Sequence, residues 1–260
     1  MQTRQLGSTD LYLSPIGLGT VKLGRDQGVK YPQGFTIPDD ASALKLLATA
    51  QDLGINLIDT APAYGNSEQR LGHLLKGQRN EWIICSKVGE EFEDGKSWFD
   101  FSPEHTINSI ERSLQRLGSD YIDIVLVHSD GNDINIIDNC GTLEALEECK
   151  QRGLIRAFGM STKTVEGGLR AAERSDAVML TYNLQQQDDR AVLDYCATSN
   201  TGAIIKKALA SGHVCLDGED PVQKSFDMIF SHPAISSVIV GTINPLHLCD
   251  NVAAVQRAIG

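Results

Sequence analysis

The strongest constraint on this chain is an alternation repeated eight times. Short, almost continuously apolar runs stand at 15–20 (PIGLGT), 55–60 (INLIDT), 82–87 (WIICSK), 121–128 (YIDIVLVH), 155–161 (IRAFGMS), 177–182 (AVMLTY), 202–207 (GAIIKK) and 236–242 (SSVIVGT). Stretches of helical period separate them, at 41–54, 66–76, 102–118, 140–153, 164–175, 188–200, 221–232 and 244–259. A strand covered on both faces reads as an unbroken apolar run, whereas one with a wet face alternates. The helical stretches carry their own punctuation. Leu44, Leu47 and Ala48 form the expected inward stripe of the first, which Gly54 ends. Ser102 caps the third, Pro103 opens it and Gly118 stops it.

Strands alternating with helices imply parallel β-α-β units. Eight such units, with no second domain's worth of residues left over, predict an α/β chain forming one (β/α)8 TIM barrel over residues 1–260. An open doubly wound sheet would carry a glycine-rich phosphate loop after its first strand, and PIGLGTVKLG has none leading into a helix. Residues 21–40 read as a polar loop at the barrel mouth. The segment before the first strand, RQLGSTDLYLSP, alternates around Gly-Ser-Thr and predicts a short N-terminal β-hairpin closing the bottom.

Composition removes several function classes. A net charge of −11 argues against nucleic acid or an anionic membrane as partner, since both demand a basic face. The N-terminus shows no signal pattern, and no apolar run reaches the roughly 18 residues of a membrane span. A cytoplasmic protein is expected. Six cysteines, Cys85, Cys140, Cys149, Cys196, Cys215 and Cys249, show neither C-x-x-C nor zinc spacing and read as reduced thiols. Of the six histidines only His128 closes a strand, so no metal is expected, and a metal-dependent barrel hydrolase or isomerase has little support.

Barrel enzymes place their chemistry at strand C-termini, because side chains fill the interior below. Asp59 ends the second strand, Tyr64 follows five residues on, Lys87 ends the third and His128 the fourth. Each has a bland reading: a loop-capping Asp59, a packed Tyr64 ring, a satisfied core His128. Lys87 follows a buried run and needs a carboxylate to offset its charge, for which Asp59 on the neighbouring strand is the natural partner.

This set, with DTAPAYGNSEQRLG, IRAFGMS, the LASG turn and the closing GTINPLHL…N, resembles the aldo-keto reductase family across nearly the whole chain. The resemblance implies NAD(P)H-dependent reduction of an aldehyde or ketone. Tyr64 is then the proton donor, Lys87 with Asp59 lowers the phenol's pKa, and His128 orients the carbonyl. It implies cofactor contacts from Gly19 and Thr20, from Ser161 and Thr162 where the family has Ser-Asn, and from the backbone of Leu209 and Ser211. Met179 stands where the family has a carboxamide-binding Gln, and Lys206 where it stacks an aromatic ring. Gly241, Thr242 and His247 take the place of the cations that hold an adenosine 2′-phosphate, while Asn251 matches the adenine-binding Asn. By family habit NADP(H) is expected, with NAD(H) open.

The substrate is a small carbonyl compound, with Tyr31, Phe92 and Trp98 as candidate pocket walls. Glu90, Glu91, Glu93 and Asp94 read as a solvated loop. The chain is expected to work as a monomer or weak homo-oligomer. A second reading is a cofactor-binding regulatory barrel that acts through protein contacts.

Overall fold

A computed structural model describes residues 1–29, 31, 32, 34–213 and 220–260. Each apolar run becomes a strand: β3 (Ile16–Gly19), β4 (Leu57–Asp59), β5 (Ile83–Val88), β8 (Ile122–His128), β9 (Ile155–Ser161), β10 (Ala177–Thr181), β11 (Gly202–Lys206) and β12 (Ile235–Val240). All pair in parallel and close in the order β10-β11-β12-β3-β4-β5-β8-β9, with Ala177 opposite Gly159 where β10 meets β9. At that seam only glycine fits, because a Cβ on Gly159 would lie 1.7 Å from the Ala177 carbonyl oxygen.

The eight expected helices are α2 (Asp40–Asp52), α3 (Ser67–Leu74), α4 (Pro103–Leu117), α6 (Thr142–Gln151), α7 (Val165–Arg174), α8 (Arg190–Ser199), α9 (Pro221–Phe230) and α10 (Pro245–Ile259). In α4 the Ser102 side chain accepts from the His105 N–H, and Gly118 takes the left-handed conformation that ends the helix. The inward stripe of α2 differs from expectation. Ala43, Leu46, Leu47 and Ala50 are buried, while Leu44 and Ala48 face water. Both stripes satisfy a helical period, but the observed one puts two small alanines against the barrel wall and lets the helix approach closely.

The strands divide the apolar core in two. Residues such as Ile16, Leu18, Ile58, Ile84 and Val125 face outward beneath the helices. Leu57, Cys85, Ile124, Leu126, Ala157, Met179 and Ile204 face inward and meet Leu6, Leu11 and Leu13 from below. Those leucines belong to the hairpin of β1 (Arg4–Gln5) and β2 (Tyr12–Leu13). Arg4 Nη1 donates to the Ile235 carbonyl at 2.6 Å and Ser236 Oγ to that of Gln5, so the hairpin seals the N-terminal end of the barrel. Any cavity for chemistry must therefore open at the strand C-termini.

Among the described residues, three connections add an α-helix or a hairpin to the eightfold repeat. A one-turn helix, α1 (Val21–Gly24), begins the segment read as a polar loop. Helix α5 (Asp133–Asn139) follows β8, and β6 (Glu90–Glu93) with β7 (Lys96–Phe99) forms an antiparallel hairpin after β5. Among the described residues no helix is long and apolar enough to cross a membrane. Cys85, Cys140, Cys149, Cys196 and Cys249 are free thiols; Cys215 lies outside the described residues.

Candidate active site

Asp59, Tyr64, Lys87 and His128 converge at the open end of the barrel. Lys87 Nζ lies 2.5 Å from Asp59 Oδ1 and donates to the Thr60 carbonyl at 2.9 Å, with both charged side chains almost fully buried. The same ammonium stands 4.9 Å from the centroid of the Tyr64 ring. Tyr64 in turn meets His128 edge to face, with ring centroids 6.2 Å apart and planes at 86°.

The electrostatics follow from burial. Desolvation by itself would discharge Lys87, but Asp59, aided by Tyr64, holds its pKa above the ordinary lysine value. For Tyr64 burial is the larger effect and raises the phenol's pKa. Lys87 pulls the other way but does not prevail, and Asp59 and Glu90 add to the rise. The expectation that Lys87 brings the phenol below its usual value is thus corrected: in the resting site the phenol is held protonated.

The loop bearing Tyr64 is clamped from two sides. Arg25 Nη1 donates to the Ala63 carbonyl at 3.0 Å, and α1 approaches so closely that a Cβ on Gly24 would lie 2.3 Å from the Tyr64 carbonyl oxygen. Below it, Ser67 Oγ donates to Thr20 Oγ1 at 2.8 Å, and Thr20 Oγ1 donates to the Asp59 carbonyl at 2.9 Å. The Thr20 side chain, expected at the cofactor, is therefore fully buried and bonded inward.

The β6–β7 hairpin overturns the solvated-loop reading for two of its acids. Glu90 Oε2 stands 2.8 Å from His128 Nδ1, and Glu90 Oε1 accepts from Ser97 Oγ at 2.6 Å. Glu91 is buried and pairs with Arg112. Glu93 and Asp94 are exposed, as expected. Burial works to raise the Glu90 pKa, yet the nearby His128, with Ser97 and Arg25, lowers it to about 2. The signal for this hairpin was present in the sequence. Asp94-Gly95, both with positive φ, sits between alternating residues, a pattern that marks a two-residue hairpin turn. Phe92 lies under the Arg25 guanidinium at 3.5 Å, whereas Trp98 is on the outer face, 45% exposed.

Opposite the hairpin, Lys206 Nζ donates to Ser161 Oγ at 2.8 Å and to the Thr162 carbonyl at 2.7 Å. Burial, then Lys207 and Lys87, pull its pKa down to about 7. Sequence reasoning missed Asp133, whose buried carboxylate accepts from Ser129 Oγ, from the Lys163 and Thr164 N–H groups at 2.9 and 2.8 Å and from Thr164 Oγ1. It pins the turn that carries Ser161 and Thr162. No local pattern marks it, since all its partners but Ser129 lie about 30 residues away. Among the described residues no group of three or more His, Cys, Asp or Glu could hold a metal ion.

The model of the aldo/keto reductase family matches residues 15–227. The chain belongs to this family. The structure superposes on that of the "putative aldo-keto reductase" from Pseudomonas aeruginosa with a TM-score of 0.91 and 55% identity, covering 99% of this chain and 95% of that one. Among curated relatives it is 30% identical to the aldo-keto reductase YhdN of Bacillus subtilis over 82% of its own length. It is also 30% identical to L-galactose dehydrogenase of Arabidopsis thaliana, covering 99% of this chain and 89% of that protein. The chain spans 63% of YhdN and 49% of the Bacillus subtilis oxidoreductase YqkF.

As an aldo/keto reductase barrel, the chain presents its remaining expected cofactor positions on the β11–β12 side. Gly241 and His247 are exposed, Thr242 is half-buried and Asn251 is buried on α10. In the turn after β11, Lys207, Ala210 and Ser211 all have positive φ. Among the described residues, its internal hydrogen bonds use the N–H groups of Ala210, Gly212 and His213. Met179, by contrast, belongs to the inward-facing apolar core.

Proposed function

We propose that the chain is an NAD(P)H-dependent oxidoreductase that reduces aldehyde or ketone carbonyls to alcohols. The observation that carries this reading is a buried ammonium–carboxylate pair beneath a protonated phenol, facing a histidine at the open end of the barrel.

The residues present fit a nicotinamide dinucleotide. The turn at 207–212 holds three successive left-handed residues, Ala210, Ser211 and Gly212, a backbone of the kind from which anion-holding loops are built. Gly19 and Gly241 present no side chain at the ends of the adjacent strands β3 and β12, and Ser161, Thr162 and Lys206 form a polar cluster at the ends of β9 and β11. Thr242, His247 and Asn251 would meet the adenosine end. By family habit we assign NADP(H) as the preferred cofactor, with NAD(H) accepted; neither Gly241 nor Thr242 is a permanent cation that would demand the extra phosphate.

A reduced nicotinamide, when bound, supplies the hydride that leaves the carbonyl oxygen negatively charged. Tyr64 gives that oxygen its proton. A buried phenol kept neutral is a proton store, and Lys87 beside it stabilises the phenolate that remains. Asp59 keeps Lys87 charged and in place. His128 meets the carbonyl oxygen from the other side and fixes its direction.

The test is fluorescence titration of the purified protein with NADPH and NADH, followed by turnover on a nitrobenzaldehyde. Tyr64→Phe should bind cofactor as the wild type does and lose turnover by about 10²- to 10⁴-fold, the usual worth of a general acid. Full turnover in that variant, or no turnover by the wild type with either cofactor, overturns the reading.

A further inference from the structure

His128 does not stand alone at the mouth. Its Nδ1 is 2.8 Å from Glu90 Oε2, an ion-pair distance without the alignment of a hydrogen bond, while the other Glu90 oxygen is tied across the hairpin to Ser97 Oγ and lies 3.9 Å from Arg25 Nη1. One carboxylate oxygen is thus anchored and the other is turned toward the imidazole. We propose that Glu90 is a positioning residue for His128, holding a proton on Nδ1 so that Nε2 donates to the substrate oxygen only when the ring is doubly protonated. The inference rests on the carbonyl-reductase reading and goes beyond it, because it assigns the protonation state in which His128 works.

The argument is one of proton count. A neutral imidazole has a single N–H, and a carboxylate at Nδ1 keeps it there. Nε2 then carries a lone pair, which can accept from an alcohol but cannot donate to a carbonyl oxygen. Donation needs a second proton on the ring. The groups that face His128 decide how readily it arrives: Lys87 from β5 and Lys206 from β11 oppose it, the Tyr64 ring adjoins it, and Glu90 from the hairpin favours it. Burial is the largest influence and also opposes it. Removing the Glu90 charge leaves nothing among these to support the imidazolium.

The hairpin exists, on this view, to deliver one carboxylate. β5 ends one residue after Lys87, at Val88, and the first residue of the hairpin is Glu90. Its tip and its outer face, with Trp98, are exposed.

Nitrogen-15 NMR of histidine-labelled protein tests this without cofactor, with His128→Asn identifying the signal. Wild type should show the Nδ1–H form of neutral His128. Glu90→Gln, which removes the charge but keeps a polar group of the same shape beside Nδ1, should keep that form but titrate about one unit lower, and Glu90→Ala should lose the preference. With cofactor and a nitrobenzaldehyde, Glu90→Gln should fall about tenfold in kcat/KM at pH 7 and recover when the pH is lowered by about one unit, since one unit is a tenfold change in the protonated fraction. An Nε2–H form in the wild type, or a His128 titration unchanged in Glu90→Gln, overturns the inference. Absent turnover in the wild type would sink the reductase reading alone, because the NMR result stands independently of it.

Discussion

Lys87 and Asp59 are an ion pair with 2% and 6% of their side chains exposed and 2.5 Å between charged atoms. The pair sits on adjacent parallel strands, where Asp59 is opposite Cys85 and Lys87 lies two residues beyond, so the sheet itself sets the separation. Each partner is intelligible only through the other. A lone ammonium or carboxylate at this depth would shed its charge.

Asp59→Asn should therefore cost stability as well as turnover. Breaking a buried pair by removing one partner costs about 3–5 kcal/mol, because the remaining charge is stranded. The double variant Asp59→Leu, Lys87→Met should be less destabilised than the sum of the single changes. Urea unfolding of all four proteins gives the coupling directly. Strict additivity would mean that the pair contributes nothing as a pair.

Gly24→Ala tests how tightly the Tyr64 loop is held. The added Cβ would lie 2.3 Å from both the Tyr64 carbonyl oxygen and the Ser67 N–H nitrogen, so backbone has to move. A displacement near 1 Å at a proton donor can cost on the order of 10²-fold in rate. The expected outcome is a kcat lowered by about that factor with cofactor affinity little changed. An unaltered kcat would show that the loop tolerates the shift.

Asp133→Ala should loosen the turn that carries Ser161 and Thr162. Its carboxylate accepts from the Lys163 and Thr164 N–H groups and from two hydroxyls, and hydrogen bonds to a charged group are worth about 1.5–3 kcal/mol each. We expect at least about 2 kcal/mol lost in chemical denaturation and about tenfold weaker cofactor binding by fluorescence. Wild-type affinity in a folded Asp133→Ala protein would remove Asp133 from the support of the site.

Lys206 gives a prediction with a definite sign. Its pKa is pulled from 10.5 to about 7 in the folded chain, chiefly by burial. Between those values the unfolded chain holds the proton that the folded chain has released, so stability rises with pH through this window. The contribution is complete above pH 10.5 and is lost as pH falls through about 7. Lys206→Met lacks that dependence. Wild type should thus gain on Lys206→Met as unfolding is measured at pH 6, 8 and 10, and a constant difference would contradict the lowered pKa.

Much of this molecule was legible before any coordinates. Eight unbroken apolar runs alternating with capped helices encode a parallel barrel, because local burial pattern and local capping are properties of contiguous residues. The same holds for Asp59, Lys87 and His128, since a polar residue ending an apolar strand has nowhere to point but the barrel mouth, and Tyr64 follows Asp59 in the loop at that mouth. The hairpin at 90–99 was read only as a solvated loop, although Asp94-Gly95 carried its signal.

Tertiary structure alone decided what those side chains meet. That Glu90 turns to His128, that Asp133 reaches across to residues 163 and 164, and that burial outweighs Lys87 at the Tyr64 phenol all depend on distances between segments far apart in the chain. A pKa is set by the sum of desolvation and every neighbouring charge, and that sum has no value until the chain has closed around it. Residue order determined the barrel and the kinds of group at its rim, while their protonation and their partners were settled only by folding.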